Sequence, residues 1–391
     1  MYYELKKSIK KPHIIFLVLF FVIWGLILPS FLTWQYWHVN LNAGYEKKSD
    51  VVCHIEDLGF NSMQDNSQMV KLQQEEYAYL TESEIPSFLV EFFYESAFNK
   101  ISITNIAQAY YTYGISQMPI RKLLDSGKPR SLRKVQKMME ENQSNIYKKQ
   151  LEMLKSVGKP QIEYTTFIQY YETFTSISMI VVITFLLLIF SNTGSQEYTS
   201  KMNLILYSSP INKRKIFVNK ITLIIIFGSV ATFLLDLCHF VIFFVAGYGE
   251  NLDIKLNSMS LDFVYCPYNI NVFQYFILKF IFQQITIIVV AAALVFFSMR
   301  WKSSIITIAI VGIATVGGYS LALMELDRTV FVRYSLGAGM SPSFIFKDYY
   351  ALGIGDCVIL YPILYISWLF ILFFLCVWRL FALAKGKKSS V

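Results

Sequence analysis

Apolar residues gather in six long runs along the chain, and polar stretches separate them. The runs cover approximately residues 13–36, 173–192, 215–247, 272–298, 303–325 and 357–382. Because an α-helix rises about 1.5 Å per residue, about 20 apolar residues cross the roughly 30 Å of hydrocarbon in a bilayer. The pattern therefore predicts an all-α, polytopic membrane protein with six transmembrane helices.

The first run also has the basic flank of a secretory signal peptide, since lysines are frequent in residues 6–11. No small-x-small cleavage pattern follows it, and the chain continues through the bulky residues 29–34. We expect an uncleaved first helix, with a cleaved signal peptide as the alternative.

Basic residues predict the orientation, because Lys and Arg resist translocation and stay in the cytoplasm. They cluster before the first run, between the second and third, between the fourth and fifth, and after the sixth. The short loops on the other side carry more acidic than basic residues. We therefore expect a multi-pass cell-membrane protein with both termini in the cytoplasm.

A large insertion separates the first two runs and is far longer than a connection needs. Helix-forming residues, with few Gly or Pro, fill Ser67–Leu80, Ile85–Ile101, Asn105–Leu124 and Ser131–Val157. The predicted domains are residues 1–36 (cytoplasmic N-terminus and first transmembrane helix), 37–172 (mostly helical extracytoplasmic domain) and 173–391 (five-helix bundle with a cytoplasmic loop at 193–215).

Charge is segregated within the insertion. Residues 46–95 are mainly acidic in charge, whereas residues 100–163 are mainly basic. Either the two parts pack against each other, or the basic part receives an anionic substrate, lipid headgroup or partner.

The composition supports a membrane location. Hydrophobic residues make up 55% of the chain and charged residues only 16%, against about 25% charged in a typical soluble domain. The net charge of +8 is spread over segments that flank the membrane. We therefore expect contacts with membrane lipids, whose inner-leaflet headgroups are anionic, and no nucleic-acid partner.

The sequence contains no recognised catalytic or metal-binding signature. His54 has no nucleophile motif beside it, and the acidic tract at 75–84 lacks the spacing of a calcium loop. The cysteines lack zinc-site spacing, although a disulfide between two of Cys53, Cys266 and Cys357 stays open in this topology. There is also no GxxxxGK[ST] loop to hold ATP phosphates, so we expect no cofactor bound by this chain.

Three ionisable residues interrupt the apolar runs. Asp236 and His239 lie three positions apart in the third run and share a helix face, while Lys279 lies in the fourth run. An ionisable residue in hydrocarbon is costly unless it is paired, so these side chains should face the bundle. They predict an Asp236–Lys279 ion pair, a polar patch on a translocation route or proton-sensitive element, or side chains that merely reach the interface.

The loop at 193–215 contains a short amphipathic pattern. Tyr198, Met202, Ile205 and Leu206 recur at i, i+4, i+7 and i+8, which places them on one stripe of a helix. Pro210 disfavours helical geometry at the residue before it and so ends this element. The pattern fits either an interfacial lipid anchor or a helix that docks on a partner.

The order of residues through this loop is specific. It runs Glu197-Tyr198, Leu204-Ile205-Leu206, Ser208-Ser209, Lys213-Arg214-Lys215 and finally Lys220. This order resembles the first cytoplasmic loop of ABC type-2 transporter permeases, although Lys201-Met202 stands where the family often has Gly-Thr. The six runs and the large outer insertion are similar to the version of this family common in Gram-positive bacteria.

The resemblance implies a permease subunit of an ATP-driven exporter in a bacterial plasma membrane. It implies a coupling helix that contacts a separate ABC ATPase subunit through Glu197, Tyr198, Met202, Ile205, Leu206, Ser208 and Arg214. ATP and Mg would bind to that subunit, so this chain itself would not be an enzyme. A second permease copy or a paralogue would complete the route.

Two other function classes stay open. One is a membrane sensor or immunity component that uses the same fold to capture a peptide or lipid-like ligand at the outer surface. The other is a membrane-embedded transferase on lipid-linked substrates, for which the sequence lacks paired catalytic carboxylates.

Overall fold

A computed structural model of the chain describes residues 11–34, 145–157, 166–199, 213–246, 252–259, 263, 266–323, 330–354 and 357–385. Within these residues the protein is mostly helical. The helices are α1 (Lys11–Val22, continued by a π turn at Ile23–Ile27 and by residues 28–34), α2 (Asn145–Val157), α3 (Thr166–Phe190), α4 (Ser195–Thr199), α5 (Lys213–Ala246), α6 (Val272–Trp301), α7 (Ser304–Leu323, with a π turn at Ile313–Gly317), α8 (Val330–Arg333), α9 (Leu336–Met340), α10 (Ser343–Phe346) and α11 (Tyr361–Lys385).

Short elements precede α6 and α11. A 3₁₀ turn, Leu256–Ser258, lies before α6. Strands β1 (Ala351–Ile354) and β2 (Cys357–Leu360) form an antiparallel hairpin directly before α11, with Ala351 opposite Leu360.

Within the described residues, five helices are long and apolar enough to cross a membrane, namely α3, α5, α6, α7 and α11. The apolar stretch of α1, Val18–Trp34, is shorter. These helices fit the predicted mostly helical, multi-pass membrane protein, while a sixth span stays a prediction.

The predicted boundaries differ from the observed ones at two places. Helix α3 begins at Thr166, before the apolar run at 173, and β2 occupies the start of the last run. In the insertion, α2 lies within the predicted helix Ser131–Val157. The other three predicted insertion helices, His54, Cys53 and the acidic tract lie outside the described residues, and the domain division stays a prediction.

The core of the bundle lies between α3, α5 and α6. Ile183, Leu186 and Ile224 are fully buried there together with Ile287. Close approach is possible because Gly228 of α5 has no side chain; a Cβ atom at that position would lie 2.9 Å from Ile287 Cγ2. We call the end at which α3 ends and α5 begins the loop end, and the opposite end the insertion end.

Local capping fixes the limits of α6. At its start, Asn271 and Gln274 exchange side-chain and backbone hydrogen bonds of 2.8 and 3.1 Å in a capping box. At its end, Lys302 adopts a left-handed conformation with φ of 53°, and the Ser303 side chain then caps α7. A two-residue turn therefore joins the fourth and fifth predicted spans.

Much of the segment from α8 to α10, which the sequence predicts as part of an outer loop, packs against the long helices, whereas Val330 and Phe331 at its start are exposed. Every residue of α9 is buried. A Cβ atom on Gly337 would collide with the Tyr319 backbone nitrogen, and one on Gly339 would collide with Thr286 Oγ1. Glycine at both positions therefore lets α9 lie directly against α6 and α7.

Three side chains from one face of α11 satisfy the backbone where this segment is not helical. The Tyr361 hydroxyl donates to the Arg333 carbonyl, Trp368 Nε1 donates to the Tyr334 carbonyl at 2.8 Å, and the Tyr365 hydroxyl donates to the Ser335 carbonyl at 2.8 Å. Buried carbonyl groups without such donors are costly. Helix α11 thus holds the turn between α8 and α9 in place.

We expect Gly337→Ala to prevent stable packing of α9, because the added methyl group would collide with the backbone of α7 rather than with a movable side chain. Gly312→Ala is the matched control, since a Cβ atom there would meet only Leu187 Cδ1 at an ordinary 3.8 Å. Thermal unfolding of the purified proteins in detergent measures the difference. Equal melting temperatures for the two variants would contradict the close packing of α9.

Candidate functional site

The predicted docking loop leaves the bundle through an elbow, residues 191–199, in which Ser191, residues 193–195 and Glu197 are buried. Just after α3 ends, the backbone N–H groups of Gly194 and Ser195 both donate to Ser298 Oγ on α6, at 2.7 and 3.0 Å. A Cβ atom on Gly194 would lie 2.7 Å from Met299 Sδ and 2.9 Å from the Met299 backbone nitrogen. The elbow is therefore pressed against the loop end of α6.

A buried ion pair joins the elbow to α5. Lys220 Nζ lies 2.5 Å from Glu197 Oε1 and also donates to the Thr193 carbonyl at 3.0 Å. The Lys220 side chain has no solvent exposure, and that of Glu197 is 3% exposed. Removing either partner would leave a buried charge, so this pair links α4 and α5 firmly.

The structure places the predicted contact residues in different surroundings. The Glu197 carboxylate is buried and bound to Lys220, so it supports the elbow, while its predicted contact with an ATPase stays a prediction. Arg214 is exposed at the start of α5, with its guanidinium 5.4 Å from the centre of the Phe381 ring on α11. Tyr198 lies in α4, and its side chain is outside the described residues. The described residues also leave out Met202, Ile205, Leu206 and Ser208.

A second buried ion pair lies at the insertion end. Lys279 Nζ of α6 lies 2.5 Å from Glu172 Oε2 of α3, and it also donates to Thr175 Oγ1 at 2.6 Å and Ser176 Oγ at 3.0 Å. The other carboxylate oxygen of Glu172 accepts from the Tyr275 hydroxyl at 3.0 Å. Lys279 is thus fully surrounded by oxygen atoms of α3.

The counter-ion of Lys279 therefore differs from the Asp236 that the sequence suggested. Glu172 lies one residue before the predicted second span, among residues that the hydrophobic pattern places in the insertion. A sequence signal did exist, since an acid at the end of one apolar run can balance a lysine inside another.

Asp236 and His239 lie close to this pair without joining it. Asp236 is 8% exposed and lies within electrostatic range of both Lys279 and Glu172, yet its Oδ1 atom has no hydrogen-bond partner. His239 is fully buried, and its Nε2 atom lies 3.2 Å from the Trp24 carbonyl in the π turn of α1. The residues Glu172, Asp236, His239 and Lys279 are called the acid–lysine cluster below.

The described residues contain no group of three or more His, Cys, Asp or Glu side chains arranged to hold a metal ion. Cys266 and Cys357 are both free thiols, so they do not pair with each other. The chemical features of the described bundle are therefore its two buried ion pairs and the unpaired acid beside one of them.

Comparison with protein-family models, curated proteins and solved structures finds no significant match to the chain. The class of protein that the fold defines is a mostly helical, multi-pass membrane protein. Any narrower assignment is a proposal from the residues themselves.

We expect Glu197→Gln to destabilise the protein, because Lys220 would keep a buried charge without a carboxylate. Breaking such a pair costs on the order of 3–5 kcal/mol. The matched control is Glu152→Gln in α2, which breaks the Lys149–Glu152 pair at 3.7 Å, where the side chains are 48% and 56% exposed. That loss should be at most about 1 kcal/mol. Denaturant or thermal unfolding in detergent compares them, and equal losses would rule out a structural role for the buried pair.

Proposed function

We propose that the chain is the membrane permease subunit of an ATP-driven exporter. ATP and Mg²⁺ would bind to a separate ABC ATPase subunit, since the sequence lacks a P-loop. Six helices would cross the bacterial plasma membrane, with both termini and the 193–215 loop in the cytoplasm. A second permease copy or a paralogue would complete the translocation route.

The observation that carries this proposal is the attachment of the elbow to the bundle. Two backbone N–H groups bind Ser298 of α6, and Glu197 binds the buried Lys220 of α5. A loop that served only as a lipid anchor would not need its root fixed to three long helices. Such an attachment suits a loop that transmits force.

In this proposal Glu197 is a positioning residue and Arg214 is a contact residue. Glu197 would orient α4 so that the chain after residue 199 leaves the bundle in one direction. Arg214 lies at the other end of the loop and is exposed, and in this proposal it would contact an acidic or carbonyl-rich groove on the partner. Both therefore affect docking, but only Arg214 would touch the ATPase.

A push on the loop would move α3 and α5 together. The ion pair joins the elbow after α3 to α5, and separating its charges inside the protein is expensive. ATP binding by the partner would therefore change the tilt of this helix pair relative to α6. Such a shift needs different contacts in the inward and outward states, which the bistable packing of a bundle can supply.

A sensor of outer-surface ligands is the second candidate, and one contact favours it. The Tyr349 hydroxyl donates to the Ile146 carbonyl of α2 at 3.0 Å, and Gly353 of β1 packs on the Ile146 side chain. The insertion thus touches the hairpin that leads into α11. Ligand capture by the insertion could be passed to the bundle along this path.

We expect an ATP-binding subunit to co-purify with the full-length chain, and Arg214→Glu to reduce its recovery strongly. The substitution reverses a charge at the docking face while leaving the buried ion pairs intact. Lys302→Glu is the matched control, since Lys302 is also an exposed cation at the loop end. Affinity purification followed by immunoblotting or mass spectrometry measures recovery, with the membrane level of each variant determined in parallel.

Failure of any ATP-binding subunit to associate would refute the exporter proposal. If Lys302→Glu weakens the association as much as Arg214→Glu does, the cause would be a general charge effect and not the loss of a docking contact. An associated ATPase whose activity responds to a captured ligand without export of any compound would favour the sensor.

The proposed orientation predicts which cysteine a membrane-impermeant maleimide reaches on intact cells. In a Cys53→Ser background, Cys357 should react, because it is exposed at the proposed outer surface. Cys266 should not, because burial raises the pKa of its thiol to about 12. At about pH 8 nearly all of that thiol is protonated, and the thiolate is the reactive form. The Cys53→Ser/Cys357→Ser double variant is the control. Labelling of Cys357 only after cell lysis would contradict the proposed orientation and indicate the opposite one.

A further inference from the structure

The acid–lysine cluster brings four helices together inside the insertion end of the bundle. Glu172 comes from α3, Asp236 and His239 come from α5, and Lys279 comes from α6. The π turn of α1 contributes the Trp24 carbonyl that contacts His239. Because all four side chains are mostly or wholly buried, their charges must nearly cancel.

His239 is a neutral member of the cluster. A carbonyl oxygen can only accept, so the contact between His239 Nε2 and the Trp24 carbonyl requires a proton on Nε2. The other ring nitrogen, Nδ1, is buried and finds no hydrogen-bond partner in the described part of the chain. A second proton there would be a buried donor without an acceptor, which is costly. The imidazole therefore carries one proton and no charge.

The remaining members are two carboxyl groups and one ammonium group. Lys279 is held by Glu172 through a 2.5 Å contact, and the Tyr275 hydroxyl donates to the same carboxylate. The contact with the ammonium group makes Glu172 the carboxylate of a buried ion pair, and the tyrosine hydroxyl adds a donor to it. Among the residues that the structure describes, Asp236 then has no cation of its own, and its Oδ1 atom has no donor. An ionised Asp236 would leave one uncompensated negative charge in the bundle.

We propose that Asp236 is a proton-binding site that acts as a reserve counter-ion for Lys279. In the present arrangement it is a neutral carboxylic acid beside the Glu172–Lys279 pair. Other titratable groups near it are the Tyr171 hydroxyl, which lies within electrostatic range, and the Tyr275 hydroxyl bound to Glu172. Neither is a cation, so neither can replace the proton.

A second neutral arrangement follows from this assignment. If Lys279 moves from Glu172 to Asp236, the O–H bond of Asp236 breaks and its proton passes to Glu172, which becomes the neutral acid. One ammonium, one carboxylate and one carboxylic acid are present before and after the exchange. The bundle could therefore shift α6 between α3 and α5 without exposing an unbalanced charge. This inference does not depend on the identity of the proposed ATPase partner.

Infrared difference spectroscopy of the purified full-length protein in lipid nanodiscs tests the assignment near neutral pH. The carbonyl stretch of a protonated carboxylic acid should be present in the wild type and lost in Asp236→Asn. It should also be lost in Glu172→Gln, because Asp236 would then ionise to pair with Lys279. Lys279→Met should show a larger band than the wild type, since two acids would remain without a cation. Asp253→Asn, an exposed acid before α6, should leave the band unchanged.

Stability measurements provide the second half of the test. Asp236→Asn should melt close to the wild type, because the amide resembles the neutral acid in shape and charge. The double variant Asp236→Asn/Glu172→Gln should lose far more stability than the two single variants together, since Lys279 would have no counter-ion. Three results would each overturn the proposal. They are unfolding of the Asp236→Asn single variant, a stability loss in the double variant that equals the sum of the single losses, and identical infrared bands in the wild type and Asp236→Asn.

Discussion

Two buried lysines form salt bridges near the two ends of α3, and these pairs organise the bundle. Glu172 near the start of α3 binds Lys279 of α6, and Glu197 just after its end binds Lys220 of α5. The helix between Glu172 and Phe190 rises about 27 Å, close to the roughly 30 Å thickness of the hydrocarbon core. Each pair thus lies near one boundary of the apolar layer, and α3 is tied to a different neighbour at each end.

The same need to satisfy polar groups inside the bundle explains the segment from α8 to α10. Short helices leave carbonyl groups without intrahelical partners, and these require donors wherever water is excluded. Tyr361, Trp368 and Tyr365 provide them from consecutive turns of α11. The hairpin that leads into α11 also contacts α2, so α2, the hairpin and the last helix pack against one another in sequence.

Hydrophobic patterning predicted the long helices well because burial in lipid demands about 20 apolar residues in succession. It failed where the decisive partner is distant in sequence. Lys279 suggested an intramembrane partner, yet its carboxylate lies more than a hundred positions earlier and outside the apolar run. The α8–α10 segment has the composition of a loop, and only the close approach of Gly337 and Gly339 to other helices reveals why it is buried.

The two ends of α3 differ in how they can respond to force. At the loop end, Lys220 is bound to Glu197 and to the Thr193 carbonyl. Moving the elbow away from α5 would therefore leave the buried Lys220 charge without its counter-ion. At the insertion end, Lys279 lies within electrostatic range of Asp236 as well as bound to Glu172. A displacement that begins at the loop would therefore carry α3 and α5 as one body, and the change in helix contacts would occur where Lys279 has a second acid to bind. The distribution of buried charge, more than the hydrophobic packing, selects where such a bundle is rigid and where it can rearrange.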